Sequence, residues 1–500
     1  MRLRLELMEA QAPPWCRAIL LTLNLEPGTL NLELSPTPGE TPPHRILHKF
    51  AYLLSARWLR EALVTVFFII LARRSATTYG EFMLAISLGA ILLLVGEFGL
   101  NLPLVSQLTD KDRDPGAVLG QVLLLKGLLL LGAFGGTLVF VHWQGYAPVL
   151  QQVMLVIGMG VALEALATTF FVAFQVEGRQ DLEGRIKALG AGVGLGYGLL
   201  TLTLGAAPLT IAFFKIIETL VFIGAGAYLL TRRLTLRWPS LKGLWSIAQR
   251  GLVFALIEIA AIIYNKANLF FLQRYGGADG VAQYSVTNQT VDGISGVVSG
   301  LLLQSVLFPL FVQLWEKDKT QVSRLAQNTA RWLLAAALPL MFVLAVESDR
   351  LIILIYGPHY QEAVWLQKIL VATIICGFLH NLAALLMISM RRERLLLVFY
   401  LSGLAVNLLA CSLLIPAIPL LGAALAIILT KVAVASLTVS YCQRQISLIP
   451  RGPFIHLALA AGAGLLAYFL TKSLLPRELA EALALAPTLA LAFHWWRQSK

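Results

Sequence analysis

Several ionisable side chains fall inside long apolar stretches of this chain, where water cannot solvate them. The cations Arg57, Lys126, Lys215, Lys266, Arg331 and Lys431 and the acids Glu218, Glu258 and Asp292 lead the set. Insertion scales put the cost of a charge at the centre of a membrane helix at about 2.5–3.5 kcal/mol, so each one is a candidate for function. The chemistry open to them is electrostatic. Cations contributed at matched depth by two facing lobes would line a positive passage suited to an anionic headgroup, such as a diphosphate or an acidic sugar. The acids would serve as gates or coupling groups. A local reading competes with this one. Lysine can snorkel towards water, and Lys215 and Glu218, three residues apart on a helix, can neutralise each other. When the two halves of the sequence are aligned, Glu258 falls on Arg57. An acid facing a base across two lobes works either as a static clamp or as a proton-coupled gate. Arg60, Glu61, Glu164 and Lys368 are further charges of this kind, and Asn265, Asn268, Asn288, His380, Asn381 and Asn407 are softer polar neighbours.

Covalent chemistry finds little support. The chain has no phosphate-binding glycine loop, no His/Cys metal spacing and no nucleophile motif in a suitable setting. Cys16, Cys376, Cys411 and Cys442 read as small packing residues. Acids and bases alternate from Asp110 to Asp114, as in a solvated loop. The glycines between Gly190 and Gly198 lie within a helix and predict close helix packing. The expectation is a protein that is not an enzyme and needs no cofactor or metal.

The elements that must hold these charges are membrane helices. The chain has 500 residues, 58% of them hydrophobic and 13% charged, against about 25% charged in soluble domains. About fourteen apolar runs are long enough to cross a bilayer, and the ten-residue alternation of a membrane barrel is missing. The net charge of +12 does not imply nucleic acid, because Lys and Arg gather on alternate loops and on both ends of the chain. The positive-inside rule then places both termini in the cytoplasm. Residues 1–46 are proline-rich and read as a disordered tail or an over-extended start of the gene.

Pro103 to Asp112 recurs as Pro309 to Asp318, with Pro, Leu, Gln, Leu, an acid, Lys and Asp in register. Lys126 matches Arg331 at an offset of 205 and Lys215 matches Lys431 at 216, against 206 for the motif. The repeat predicts two six-helix lobes, 47–232 and 250–443, joined by a cytoplasmic linker, 233–249, with an extra helix pair at 453–497. Six helices is an even number, so both copies insert the same way and form a parallel repeat. The fold class is therefore all-α and polytopic.

Three stretches carry a family resemblance: Leu71-Ala72-Arg73 with Tyr79-Gly80-Glu81-Phe82 and Glu97-Phe98-Gly99-Leu100; Tyr264-Asn265-Lys266-Ala267-Asn268 with Gly280, Tyr284 and Pro309; and Asn407 to Pro416 with Gly422-Ala423-Ala424-Leu425-Ala426. In their order and spacing they resemble polysaccharide biosynthesis flippases, of the O-antigen type, in the multidrug/oligosaccharidyl-lipid/polysaccharide (MOP) exporter superfamily. The resemblance implies a V-shaped bundle that turns over a polyprenyl-diphosphate-linked oligosaccharide by alternating access in a bacterial cytoplasmic membrane. It also implies cationic cavity residues, and polysaccharide polymerase and glycosyltransferases as partners. A drug/cation antiporter and a peptidoglycan-precursor flippase are the alternatives within the superfamily. A membrane-embedded polysaccharide polymerase is the alternative from another class, but it should carry a long external loop with catalytic Arg or His.

Overall fold

The computed structural model describes residues 60–110, 114–232, 234–235, 244–298, 300, 303–304, 307–449 and 451–498, and none of these forms a strand. The expected tail, 1–46, lies outside them. The first helix, α1, covers 60–74. It is followed by α2 (Ala76–Glu97), α3 (Asn101–Leu108), α4 (Pro115–Trp143), α5 (Pro148–Val176), α6 (Gln180–Thr203) and α7 (Pro208–Thr231). The second half comprises α8 (Leu244–Val298), α9 (Phe308–Lys317), α10 (Lys319–Val346), α11 (Ser348–Tyr356), α12 (Gln361–Leu370), α13 (Thr373–Ser389), α14 (Glu393–Leu414) and α15 (Pro419–Ile446). The helices α16 (Arg451–Thr471) and α17 (Arg477–Gln498) close the chain.

Local sequence explains where these helices start. Pro occupies the first turn of α4, α5, α7, α9 and α15, where its missing N–H would have had no helical partner. Ser75, Asp114 and Asp318 cap α2, α4 and α10 by accepting from backbone N–H groups of the first turn. Eleven helices among the described residues are long and apolar enough to cross a membrane, or twelve if the bent pair Pro358–Leu370 and Thr373–Ser389 counts as one span. The chain is a multi-pass membrane protein.

The expected spans differ from the observed helices in instructive ways. The run 50–72 begins outside the described residues. The runs 250–273 and 282–312 share one 55-residue hydrogen-bonded element, α8. A straight helix of that length would reach about 80 Å, far beyond a hydrocarbon core of about 30 Å. Gly277, at φ 67° and ψ −174°, breaks it into two arms, a backbone state that suits glycine. The run 363–390 is bent by 52° between α12 and α13, where the Thr373 hydroxyl donates to the Leu370 carbonyl at 2.8 Å. Residues 347–362, which fall between two apolar runs of the sequence, are largely helical: α11 buries Ile352 and Tyr356 against the core. The helix α8 already runs at Leu244, and 236–243 of the expected linker lie outside the described residues.

The two halves meet along α2 and α8. A Cβ on Gly80 would stand 1.9 Å from the Ala278 carbonyl oxygen, and one on Gly251 would stand 2.5 Å from that of Phe98. Only hydrogen at these positions lets the backbones touch. At the Gly80 end, the Tyr79 hydroxyl donates to Gln289 at 3.1 Å and the Tyr360 hydroxyl to the Ala72 carbonyl at 3.2 Å. Arg73 donates to the carbonyls of Ile355 and Leu354 at the end of α11. The larger apolar core runs through both halves. A smaller one lies under α3 and α4, around Leu104, Phe174 and Phe222.

Candidate functional site

In the amino-terminal half, α1, α5 and α7 bring four charges together. Lys215 Nζ donates to Glu218 Oε2 at 2.7 Å and also to Glu164. Arg60 donates to Glu218 Oε1 at 2.8 Å and to Glu164 Oε1 at 2.9 Å. Within the bundle two cations therefore meet two carboxylates and cancel, while the exposed Glu61 lies 3.6 Å from Arg60 at the edge of the cluster. Small residues make the space. A Cβ on Gly160 of α5 would stand 2.9 Å from the Lys215 carbonyl carbon, and one on Gly194 of α6 would stand 2.7 Å from the Glu218 Cβ. Gly190 and Gly198 press on Phe222 and Phe214 in the same way, one helical turn either side. Gly190, Gly194 and Gly198 thus act as packing residues, whereas a Cβ on Gly192 or Gly196 would meet nothing within 4 Å. The i, i+3 neutralisation of Lys215 by Glu218 is present. Arg60 and Glu164, far away in sequence, complete it.

The carboxyl-terminal half builds a different cluster from α8, α13, α14 and α15. Lys431 Nζ stands 2.5 Å from Asp292 Oδ1. Lys266, on the first arm of α8, lies within electrostatic range of both Asp292 and Lys431, and among the described residues it forms no ion pair of its own. Here one carboxylate serves two cations. The Asp292 side chain keeps 33% of its surface exposed, against 1% for Glu218. Polar groups border the site: His380 is hydrogen-bonded to the Tyr400 hydroxyl at 2.9 Å and to the Thr438 hydroxyl at 3.2 Å, and Tyr264 stacks near Tyr400.

The remaining candidates stand apart from both clusters. Lys126 is fully buried within the amino-terminal half, donating to Asn101 Oδ1 at 3.1 Å, the Ala165 carbonyl at 2.9 Å and the Thr168 hydroxyl at 3.2 Å. Arg331 faces the other way, onto α17, with its guanidinium over the Trp495 ring. Glu258 is exposed on α8 and lies within electrostatic range of Glu97. Arg57, its expected counterpart, falls outside the described residues.

The repeat partners part company for a geometric reason. Lys126 is one residue nearer to its capping Asp114 than Arg331 is to Asp318, and one residue turns a helix by about 100°. Lys431 lies five residues farther from Pro419 than Lys215 does from Pro208, or about 7.5 Å along the axis. Among the described residues, no group of three or more His, Cys, Asp or Glu is placed to hold a metal ion. Sequence reasoning listed Arg60 and Glu164 as membrane charges but left them out of the site. The available signal was charge balance: Lys215 beside Glu218 is neutral, so two further opposite charges at similar depth had to find each other.

A family described as "Polysaccharide biosynthesis protein" matches residues 70–365. Among curated proteins no match is found. Among solved structures, the chain is similar to the lipid II flippase MurJ in an inward closed conformation, with a TM-score of 0.69 and 13% identity over 89% of this chain and 99% of that one. It is also similar to an inward-facing MATE family multidrug resistance transporter of the MOP superfamily, with a TM-score of 0.62 and 14% identity over 79% and 98% of the two chains. A MOP superfamily transporter from Pyrococcus furiosus gives a TM-score of 0.54 and 13% identity over 81% and 95%. At such identities the likeness is one of fold. The resemblance drawn from Leu71-Ala72-Arg73, Glu97-Phe98-Gly99 and the Tyr264 to Asn268 stretch points to the same place. With more than half of its length matched, this chain, an all-helical membrane protein with the MOP superfamily fold, belongs to the polysaccharide biosynthesis protein family.

Proposed function

We propose that this protein turns over a polyprenyl-diphosphate-linked oligosaccharide across the bacterial cytoplasmic membrane. The halves rock about the α2–α8 contact, both termini stay in the cytoplasm, and the lipid tail remains in the bilayer. The observation that carries this reading is the unequal charge balance of the two clusters. Arg60, Lys215, Glu164 and Glu218 cancel, whereas Lys266 and Lys431 share Asp292 alone. The surplus positive charge lies in the carboxyl-terminal half, where a diphosphate would supply the missing counter-charge. Lys126 and Arg331 then have holding roles, since one is sealed in packing and the other faces α17. A cation antiporter would need a surplus of acid instead. Turnover of this kind needs no bond to form or break, which agrees with a protein that is not an enzyme.

The test is polymer export in cells that depend on this chain. Replacing Lys266 and Lys431 together by Ala should cut export by about a hundredfold, as expected when roughly 2.7 kcal/mol of headgroup binding is lost, while the protein still reaches the membrane. Normal export in the double variant would remove the proposal. Accumulation of the lipid-linked precursor on the inner leaflet would separate a turnover defect from a synthesis defect.

A further inference from the structure

Arg331 is an arginine without a carboxylate. Among the described residues no acid lies within ion-pair distance of it, and its buried Nε has no hydrogen-bond partner. Among the described residues it is the only charged one lining a narrow cleft between α10, α16 and α17, which itself has room for one water (about 10 Å³) and opens outward at its mouth. The remaining lining is apolar and includes Leu334, Phe454, Leu457 and Trp495. Trp332 and Trp495 each place a ring near the guanidinium, 5.7 and 5.0 Å from centroid to Cζ. Both rings stabilise a cation without neutralising it.

The position of the cleft fits the membrane surface. Phe454 lies in the first turn of α16 and Trp495 in the last turn of α17, within about 5 Å of the helix ends. The charge distribution assigns this end of the bundle to the cytoplasm. Gln327, one turn from Arg331 on α10, donates to the Ser447 carbonyl at 3.0 Å and holds the α15–α16 junction against the same face. Arg324 lies two turns from Arg331 on that face, and Arg497 is in the last turn of α17. Arg331 and Trp495 line the opening, with Arg324 and Arg497 farther along α10 and α17, and a base beside a tryptophan near a membrane surface suits an anionic headgroup.

We propose that this cleft binds one anionic phospholipid, its phosphate on Arg331 and its chains along the seam between α10 and the α16–α17 pair, so that the lipid bonds the added helices to the carboxyl-terminal half. The occupant is a bilayer lipid and not the transported molecule, because the cleft lies on the α16–α17 side of α10, away from the Lys266, Asp292 and Lys431 cluster.

The test uses the full chain, purified in mild detergent, stripped of lipid and titrated in native mass spectrometry with phosphatidylglycerol, phosphatidylcholine, a polyprenyl phosphate and inorganic phosphate in separate arms. One phosphatidylglycerol should bind at least about tenfold more tightly than phosphatidylcholine, and inorganic phosphate should not compete. Arg331→Gln should weaken phosphatidylglycerol by about tenfold and Arg331→Lys by only about threefold. Arg391→Gln, which removes an exposed charge from the loop between α13 and α14, should change nothing. Equal binding by Arg331→Gln, equal binding of phosphatidylcholine, or stronger binding of the polyprenyl phosphate would each overturn the proposal. Should Arg331→Gln fail to fold, Trp495→Leu keeps the charge and opens the cleft; unaltered lipid selectivity there would overturn it as well.

Discussion

The two halves solve the same problem in opposite ways. Each must hold lysine within a membrane bundle. The amino-terminal half surrounds Lys215 with two carboxylates and closes the set with Arg60, leaving Glu218 only 1% exposed. The carboxyl-terminal half gives Lys431 one carboxylate, leaves a second lysine to share it, and keeps Asp292 partly open. A buried set that is fully satisfied fixes one geometry, whereas an unsatisfied set wants a partner. On the proposed function the first cluster is a brace and the second a receptor. The contrast also shows that counting lysines in a repeat is a poor guide to where positive potential survives.

The largest effect should come from breaking the brace. Glu218→Ala leaves Lys215 with Glu164 alone and Arg60 with Glu164 and the exposed Glu61, and removing one partner of a buried ion pair costs about 3–5 kcal/mol. The thermal midpoint of the purified protein in detergent should drop steeply. Replacing Arg60, Glu164, Lys215 and Glu218 together by apolar residues of similar volume should cost far less than Glu218→Ala alone. If the single change were silent, the brace would be no brace. Next comes the receptor. Asp292→Asn removes the only acid shared by Lys266 and Lys431, and pyrophosphate should then bind about tenfold more tightly, or about 1.4 kcal/mol, with little change in stability. Unaltered binding by calorimetry would erase the distinction between the halves.

A smaller effect tests how the halves are held together. Gly80→Val forces a side chain into the Ala278 carbonyl, and overpacking of this kind costs about 1–3 kcal/mol. Spin labels placed on α2 and α8 should report a wider separation at that end. An unchanged distance would mean that the backbones yield elsewhere and that the contact does not set the approach of the two halves.

Much of this was legible before any coordinates. Apolar run length identified the helices, whereas their capped starts at Asp114 and Asp318 lie ahead of the apolar runs and were not read from them. The all-helical fold and the family followed from loose motifs in a fixed order. The pairing of charges was not legible. Arg60 reaches Glu164 and Glu218 across 104 and 158 residues, and no local rule joins residues so far apart. Register was lost as well: the offset of the opening motif carries Lys126 to Trp332, one residue past Arg331, and that one-residue difference from the cap turns one cation into packing and the other towards α17. The break at Gly277 was hidden because a single positive-φ glycine leaves the apolar pattern on either side intact.

The smallest effect concerns the helix pair found only on the carboxyl-terminal side. Arg477, at the start of α17, donates to both oxygens of Asp349 at 2.9 and 2.7 Å and lies 2.7 Å from a Glu347 oxygen in an ion pair. The Arg477 hydrogen bonds hold the Asp349 carboxyl at about 2, below the ordinary aspartate value of about 3.9. A lowered folded-state value means that the unfolded chain takes up the proton first. The contribution is therefore complete above about pH 4 and fades as pH falls through about 2. With 46% of the Asp349 side chain exposed, solvent screening keeps the contribution under about 1 kcal/mol. Asp349→Asn should therefore melt about half a degree below the wild type at pH 6, in keeping with a loss of roughly 0.5 kcal/mol in a chain of this size. The gap should close near pH 2, since protonation then does to the wild type what the substitution did to the variant. A gap that stayed constant across that interval would show that Arg477 holds α17 through Glu347 and the Val346 carbonyl alone. The anchoring of the extra pair at this end would then be independent of pH, and the Arg331 cleft at the other end would be the place to look for its control.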